Sequence, residues 1–175
     1  EDTLTFSIPF RDSKRKYMEN EKKIQIVDDV YKIRTVTDVK DSTGNTVTQI
    51  YAEAEFYDLT FSVRKEEKKF DAETADVAMA YALADTEWSV GTVNVTTKRT
   101  WTSTEKNALS ILRSVANLHG GDLVFDCPNR LVHLLTVNGK DSGALFAYKK
   151  NMKSIERVVD TRSLVTRLYA VGANG

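Results

Sequence analysis

The sequence predicts an α+β fold in which strand-only segments flank an inserted part that carries two helices. First, Thr102–Val137 has the pattern of an amphipathic helix, a glycine stop and a β-hairpin. Second, both predicted helices lie between about residues 67 and 141. Third, the outer segments alternate polar and apolar residues with the period typical of strands. We therefore expect three domains, namely a strand-only domain at 1–66, a helix-containing α/β insert at 67–141 and the start of a second β-rich domain at 142–175.

The composition is that of a globular protein. Of 175 residues, 41% are hydrophobic and 29% are charged. The 25 Lys and Arg residues balance the 25 Asp and Glu residues, whereas general nucleic-acid binders carry a basic excess. The single cysteine, Cys127, excludes an internal disulfide, and no apolar run approaches the ~20 residues of a membrane span. Because the chain starts at Glu1 without Met and ends directly after a predicted strand, we expect a fragment of a longer protein.

Strands account for most of the first predicted domain. They are expected at Thr3–Phe10, Lys22–Val27, Val30–Lys40 and Thr46–Tyr57, with a continuation through Leu59, Phe61 and Val63. The charged segment Arg11–Glu21 is predicted to be a surface connection with a short helical turn, and Arg64–Lys69 is predicted to be a solvated loop. In the second strand, Ile24 and Ile26 are expected to point inward.

The fourth strand is expected to have one buried and one polar face. Successive side chains of a strand point to opposite faces, so the apolar side chains at positions 50, 52, 54 and 56 predict the buried one. The opposite face is predicted to be a solvent-facing strip of Tyr51, Glu53, Glu55 and Tyr57. Two carboxylates on one face could form a glycosidase pair, but a polar surface strip is the simpler interpretation of Glu53 and Glu55.

The first helix is predicted at Ala72–Asp85, with Asp71 or Thr74 as its N-cap. Its expected stripe of mostly small residues consists of Val77, Ala78, Tyr81 and Ala82. Small residues on one face favour close packing on a neighbouring element. A further strand is expected at Val93–Thr100.

The second helix is predicted to begin at a capping box of Thr102 and Glu105 and to end at Gly120-Gly121, where a left-handed residue is favoured. Its apolar stripe consists of Leu109, Leu112, Val115, Ala116 and His119, widened by Ile111 and Leu118. A stripe this wide is typical of a helix that packs on a sheet. The core of the insert is expected to contain Trp101, Leu112, Val115, Phe125 and Leu134.

A β-hairpin is predicted directly after this helix. Leu123 and Phe125 share one face of its first strand, and Cys127-Pro128-Asn129 forms the turn. On the return strand, one face carries Leu131, His133 and Leu135, and the other carries Val132, Leu134 and Thr136.

No residue pattern predicts a catalytic, cofactor-binding or metal site. Cys127 and His133 lie on one hairpin, but without a third orienting group both are more simply structural. Neither His119 nor His133 stands in a metal-ligand motif. Gly120-Gly121 follows a helix, so its N–H groups do not face a phosphate, and Asp28-Asp29 is more simply a turn than an acid–base pair.

Four motifs in the second half of the chain carry a resemblance. They are Gly120-Gly121-Asp122 after the helix, the turn Gly139-Lys140-Asp141-Ser142-Gly143, the run Tyr148–Arg157 (YKKNMKSIER) and the strand Leu164–Tyr169 (LVTRLY). With these motifs the chain resembles the minor structural, or tail-endopeptidase, family of phages and prophages of Gram-positive bacteria. The upstream strand around Ala52–Leu59 also fits, with Glu55 where a histidine often stands.

The resemblance implies a structural role in a phage tail, without catalysis or a cofactor. It implies a baseplate hub or tail-tip protein with β-barrel-like hub domains and an inserted two-helix α/β domain, in which residues 1–66 are a truncated β-barrel-like domain. Such a protein forms a homotrimer around the tail axis and joins the tail tube to the host-facing tip, and DNA passes through without specific binding. Its implied partners are the tube and distal tail proteins, with no membrane.

The implied localisation is the virion, after synthesis in the bacterial host cytoplasm from a phage or prophage gene. Any catalytic domain would lie C-terminal to this fragment. Two alternatives stay open. A cell-wall or carbohydrate-binding module would use exposed aromatic residues such as Tyr51 and Tyr57, and part of a tail-associated peptidoglycan hydrolase would need a site that the residues do not supply.

Overall fold

The computed structural model describes residues 2–27, 29–40 and 43–139, together with the isolated positions 143, 145, 147, 150, 154 and 156. The described chain is α+β and mostly β. Its strands are β1 (Thr3–Pro9), β2 (Lys23–Ile26), β3 (Asp29–Lys40), β4 (Thr46–Ala54), β5 (Val63–Arg64), β6 (Lys68–Thr74), β7 (Ser89–Val93), β8 (Lys98–Ser103), β9 (Lys106–Asn107), β10 (Asp122–Asp126) and β11 (Leu131–Leu135). Its α-helices are α1 (Ala75–Leu83) and α2 (Ala108–His119), and 3-10 turns lie at Ser13–Tyr17 and Glu55–Thr60.

The first four strands form an open antiparallel sheet in the order β1-β4-β3-β2. One face of this sheet is apolar. Ile33, Ile50 and Ala52 are fully buried there, and Leu4, Phe6, Ile8 and Val36 pack against them. The predicted strands and the predicted short helical turn after β1 are confirmed. The expectation for Ile26 is wrong, because it lies at the end of the edge strand β2 and is 43% exposed.

The fourth strand ends at Ala54, three residues before the predicted end. Residues Glu55–Thr60 form a 3-10 turn, so the predicted strand continuation from Leu59 is also wrong apart from Val63 in β5. A 3-10 turn repeats every three residues, which puts Phe56 and Leu59 on one side, both buried. The predicted exposure of Glu55 is therefore wrong, and its side chain is 7% exposed.

The segment before the first helix is a strand. Lys68–Thr74 pairs with β8, whereas a solvated loop was expected up to Lys69. The ladder delays the start of α1 to Ala75, where Thr74 occupies the N-cap position without a side-chain hydrogen bond. Ala78 and Ala82 are buried as expected, but Val77 is 40% exposed, and Met79 and Leu83 are buried instead.

The second helix forms where it was predicted, but its cap differs. Asn107 is the N-cap, and its Oδ1 accepts a hydrogen bond from the Ser110 N–H at 2.8 Å. Thr102 is held in the β6–β8 ladder, so the predicted capping box cannot form. At the other end Gly120, at φ 85°, closes the helix through its N–H to the Ala116 carbonyl, as expected.

Helix α2 buries a wide stripe in the largest core of the chain. The buried residues are Ala108, Leu109, Ile111, Leu112, Val115 and His119. Leu118 was expected to widen this stripe, but it is 41% exposed. The stripe packs against both α1 and the 3-10 turn at Glu55–Thr60, and Leu112 and Val115 within it are fully buried.

The hairpin β10–β11 is confirmed, and β11 also pairs in parallel with β7. Val132 and Leu134 point into the core. The predicted strand Val93–Thr100 is wrong as one element, because β7 belongs to the hairpin sheet and β8 pairs with β6, so the chain turns between them.

Three of the five expected core residues, Leu112, Val115 and Leu134, are fully buried. Trp101 and Phe125 pack at the margin of the core instead. Trp101 stacks on Phe70, with ring centroids 4.7 Å apart.

The chain divides into two compact units, Glu1–Gly139 and Lys140–Gly175. All elements given above belong to the first unit. The predicted strand Leu164–Tyr169, most of the Tyr148–Arg157 run and most of the Gly139–Gly143 turn lie outside the described residues. In the part that the structure describes, neither helix is long and apolar enough to cross a membrane.

Candidate functional site

The two neighbouring glutamates of the predicted polar strip do not face each other. Glu53 accepts hydrogen bonds from Arg34 Nε at 3.3 Å and from the Tyr51 hydroxyl at 3.0 Å. Glu55 lies beyond the end of the strand and binds Lys23 Nζ at 2.5 Å. Each carboxylate therefore has its own cationic partner and serves as an ion-pair acceptor.

The cysteine and the histidine of the hairpin make separate structural contacts. Cys127 is buried in the turn, and burial raises the pKa of its thiol, which disfavours the reactive thiolate. His133 Nδ1 accepts a hydrogen bond from the Thr92 N–H at 2.8 Å. This bond lies at the irregular position between Val132 and Leu134 in the β7–β11 ladder. There the imidazole nitrogen replaces a backbone carbonyl as the hydrogen-bond acceptor.

The second histidine closes the end of α2. His119 Nδ1 lies 2.9 Å from the Thr97 carbonyl oxygen, so Nδ1 carries the hydrogen in this arrangement. The Thr97 hydroxyl donates in turn to the His119 carbonyl at 2.8 Å. Across residues 2–139, apart from the undescribed positions 28, 41 and 42, and at the six later positions, no three His, Cys, Asp or Glu side chains are grouped to hold a metal ion.

The aromatic pair considered for carbohydrate binding is partly buried. The Tyr51 hydroxyl is engaged by Glu53, and Tyr57 stacks on Phe56 with ring centroids 4.5 Å apart. The pair therefore does not form a free aromatic platform.

The outer edge of the four-stranded sheet is a candidate site for pairing with another chain. Strand β1 pairs with β4 on one side, and among the described residues no strand pairs with its other side. Its seven residues, TLTFSIP, contain no charge, and Leu4, Phe6 and Ile8 are only half-buried. Natural proteins usually protect such an edge with charges or a covering element, because its backbone groups are free to pair with another strand.

The polar face of the sheet carries a network of ion pairs. Arg34 lies at its centre and binds Glu21, Glu53 and Asp58. Lys32 Nζ lies 2.9 Å from Asp58 and 3.0 Å from Glu21. Burial disfavours the Asp58 carboxylate, but the hydrogen bonds from Lys32 and Arg34 outweigh it, so the pKa of Asp58 is lowered. The network ties the 3-10 turn to strand β3.

A second group of ion pairs surrounds Glu55. Lys23 of β2 and Arg130 Nη2 both bind Glu55 Oε1, the latter at 3.3 Å. Arg130 also pairs with Glu87. Arg130 has a φ of 52°, and its carbonyl accepts the Ser89 N–H, so the hairpin and β7 fix its backbone. No local pattern predicts this contact, because Glu55 and Arg130 are 75 residues apart in the chain.

Three family models match consecutive parts of the chain. The prophage endopeptidase tail N-terminal domain matches residues 1–54, the prophage endopeptidase tail domain matches residues 62–134, and the prophage endopeptidase tail matches residues 140–175. The chain belongs to this family of phage tail proteins. The resemblance derived from the motifs is thereby confirmed. The word endopeptidase belongs to the family names and is not an activity shown for this chain.

A solved phage tail protein has the same fold. It is the prophage tail protein gp18 from Listeria monocytogenes EGD-e, with a TM-score of 0.72 and 14% identity over 93% of the present chain. The present tail protein spans about half of that chain, 49%. None of the curated proteins matches the sequence.

The boundaries of the family segments can be compared with the positions of the two groups of ion pairs in this tail protein. The first segment ends at residue 54 and the second begins at residue 62. The 3-10 turn Glu55–Thr60, which carries Glu55 and Asp58, therefore lies between two family domains.

Proposed function

We propose that this tail protein is a structural subunit of the baseplate hub or tail tip, which joins the tail tube to the host-facing tip around the DNA channel. The subunit works as a homotrimer, with the tube and distal tail proteins as neighbours in the virion. Its part is mechanical, and any catalytic domain of the longer protein lies C-terminal to it. The observation that carries this proposal is the edge strand β1, which has no charged residue and carries a proline only at its last position, Pro9.

The strand directions support assembly through this edge. In an antiparallel sheet of four strands, the two edge strands, β1 and β2, run in opposite directions. A neighbouring copy rotated about an axis along the strands can therefore bring its own β2 beside β1 and keep antiparallel pairing. Such a contact is heterologous, and it closes into a ring when the rotation matches the number of copies.

The division into three domains, at 1–66, 67–141 and 142–175, belongs to the same proposal. Its support is that the family models also divide the chain into three segments, at 1–54, 62–134 and 140–175. In the hub, the first domain supplies the sheet edge and the second carries both helices.

Light scattering over a concentration series tests the assembly. We expect a trimer, or a mass that rises toward a trimer with concentration. Ser7→Lys adds a charge to β1 and should shift the mass to that of a monomer. Gln49→Lys is the matched control, because Gln49 lies directly opposite Ser7 on the fully paired strand β4. A monomer at every concentration, or equal effects of both variants, would contradict assembly through this edge.

A further inference from the structure

The two family domains of the first compact unit have separate hydrophobic cores. The small core contains Ile33, Ile50 and Ala52 in the four-stranded sheet. The large core lies around α1, α2 and the hairpin. Few apolar side chains of the sheet reach the large core: Ala54 at the end of β4 is buried in it, Tyr31 packs against both clusters, and Val30 packs against the large one.

The connecting 3-10 turn is two-sided. Phe56 and Leu59 are buried in the large core, and Phe56 stacks on Phe125 with ring centroids 4.2 Å apart. Glu55 and Asp58, three residues apart on the other side, carry the carboxylates. Through these two apolar side chains, the turn packs into the helix-containing domain.

Ion pairs connect the same turn to the four-stranded sheet. Asp58 binds Lys32 and Arg34 of β3, and Glu55 binds Lys23 of β2. Arg130 reaches Glu55 from the hairpin, so this carboxylate connects both domains. The side chains of Arg34 and Glu55 are only 15% and 7% exposed, which makes these pairs more than flexible surface contacts.

We propose that Glu55 and Asp58 form an ionic latch that fixes the four-stranded sheet on the helix-containing domain, so that breaking the latch frees the sheet while the large core stays folded. The reason is that these ion pairs lie outside the large core, whereas the sheet has only a small core of three buried apolar residues and opens more readily once its support on the helices is lost. In an assembled tail, such a latch would let the sheet, with its edge β1, change its orientation relative to the helices. The inference does not depend on the trimer.

Hydrogen–deuterium exchange of the whole chain, read by mass spectrometry, tests the latch. Glu55→Gln and Asp58→Asn, made separately, keep the side-chain shape and remove the charge. In each variant we expect the amides of β3 and β4 to exchange about tenfold faster, as for the loss of one charged hydrogen bond, while those of α2 and β11 keep their rates. Glu67→Gln is the matched control, since Glu67 is exposed and has no ion pair among the described residues.

Two outcomes would overturn the proposal. Equal acceleration in the sheet and in α2 would mean that both domains open as one cooperative unit. Unchanged exchange in both domains would mean that these ion pairs do not hold the sheet.

Discussion

The imidazole of His133 lies so close to Gly91 that a Cβ on Gly91 would stand 2.6 Å from its Nδ1 and Cε1 atoms. The same Nδ1 accepts the hydrogen bond from the Thr92 N–H. A histidine on one strand thus occupies the space left by a glycine on the parallel neighbour and completes the ladder at its irregular position.

The Gly91–His133 contact predicts a coupled pair of mutations. Gly91→Ala should lower the free energy of unfolding by about 1–3 kcal/mol, because the added methyl group displaces the ring. In a His133→Ala background the same change should cost little, and a double-mutant cycle in urea measures the coupling. Additive effects of the two mutations would show that the clash is relieved in another way.

Leu112 and Leu118 on α2 should contribute very differently to the free energy of unfolding. Leu112 is fully buried and Leu118 is 41% exposed. Leu112→Ala should cost about 2–5 kcal/mol of unfolding free energy through lost burial and a cavity. Leu118→Ala should stay within about 0.5 kcal/mol, as for other surface sites. Urea titration followed by circular dichroism compares them, and a cost below about 0.5 kcal/mol at Leu112 would refute the assigned core face.

The N-cap of α2 can be located by mutation. Asn107→Ala should lower the free energy of unfolding by about 1 kcal/mol, because the Ser110 N–H loses its acceptor. Glu105→Gln should leave the stability nearly unchanged, since Glu105 precedes the helix and has a φ of 45°. If thermal unfolding showed a larger loss of stability for Glu105→Gln than for Asn107→Ala, the capping box of Thr102 and Glu105 would be the correct assignment.

Acid should weaken the junction through Asp58. Its pKa is lowered in the folded protein, so its ionised form contributes stability at pH values above the ordinary aspartate pKa of about 3.9. This contribution is lost as the pH falls through the folded pKa. Urea midpoints should therefore separate the parent and Asp58→Asn proteins at about pH 7 and converge as the pH falls through the lowered pKa of Asp58 in the folded protein. A difference that persists in acid would trace the effect to packing.

Local patterns predicted much of the fold. The alternation in β1–β4, the apolar stripe of α2, its glycine stop and the turn before β11 depend on neighbouring residues, and all were found at or near their predicted places. Family membership also followed from short motifs, because they recur as contiguous runs. The expectation that no catalytic or metal site lies in this fragment stays a prediction.

Tertiary contacts decided the rest. Pairing of β6 with β8 moved the cap of α2 from Thr102 to Asn107, because a residue held in a ladder cannot also cap a helix. The 3-10 turn after Ala54 buries Glu55, because side-chain directions repeat every three residues in such a turn and every two residues in the predicted strand.

By itself, the sequence determined the α+β class, the strands of the first sheet, the helix–hairpin unit and the phage tail family. The tertiary structure alone decided that β1 is an edge, that Glu55 and Arg130 meet across 75 residues of chain, and that His133 completes a strand ladder. The physical reason is that periodicity records which side of an element is apolar, whereas the partner that covers that side is chosen when distant segments pack together.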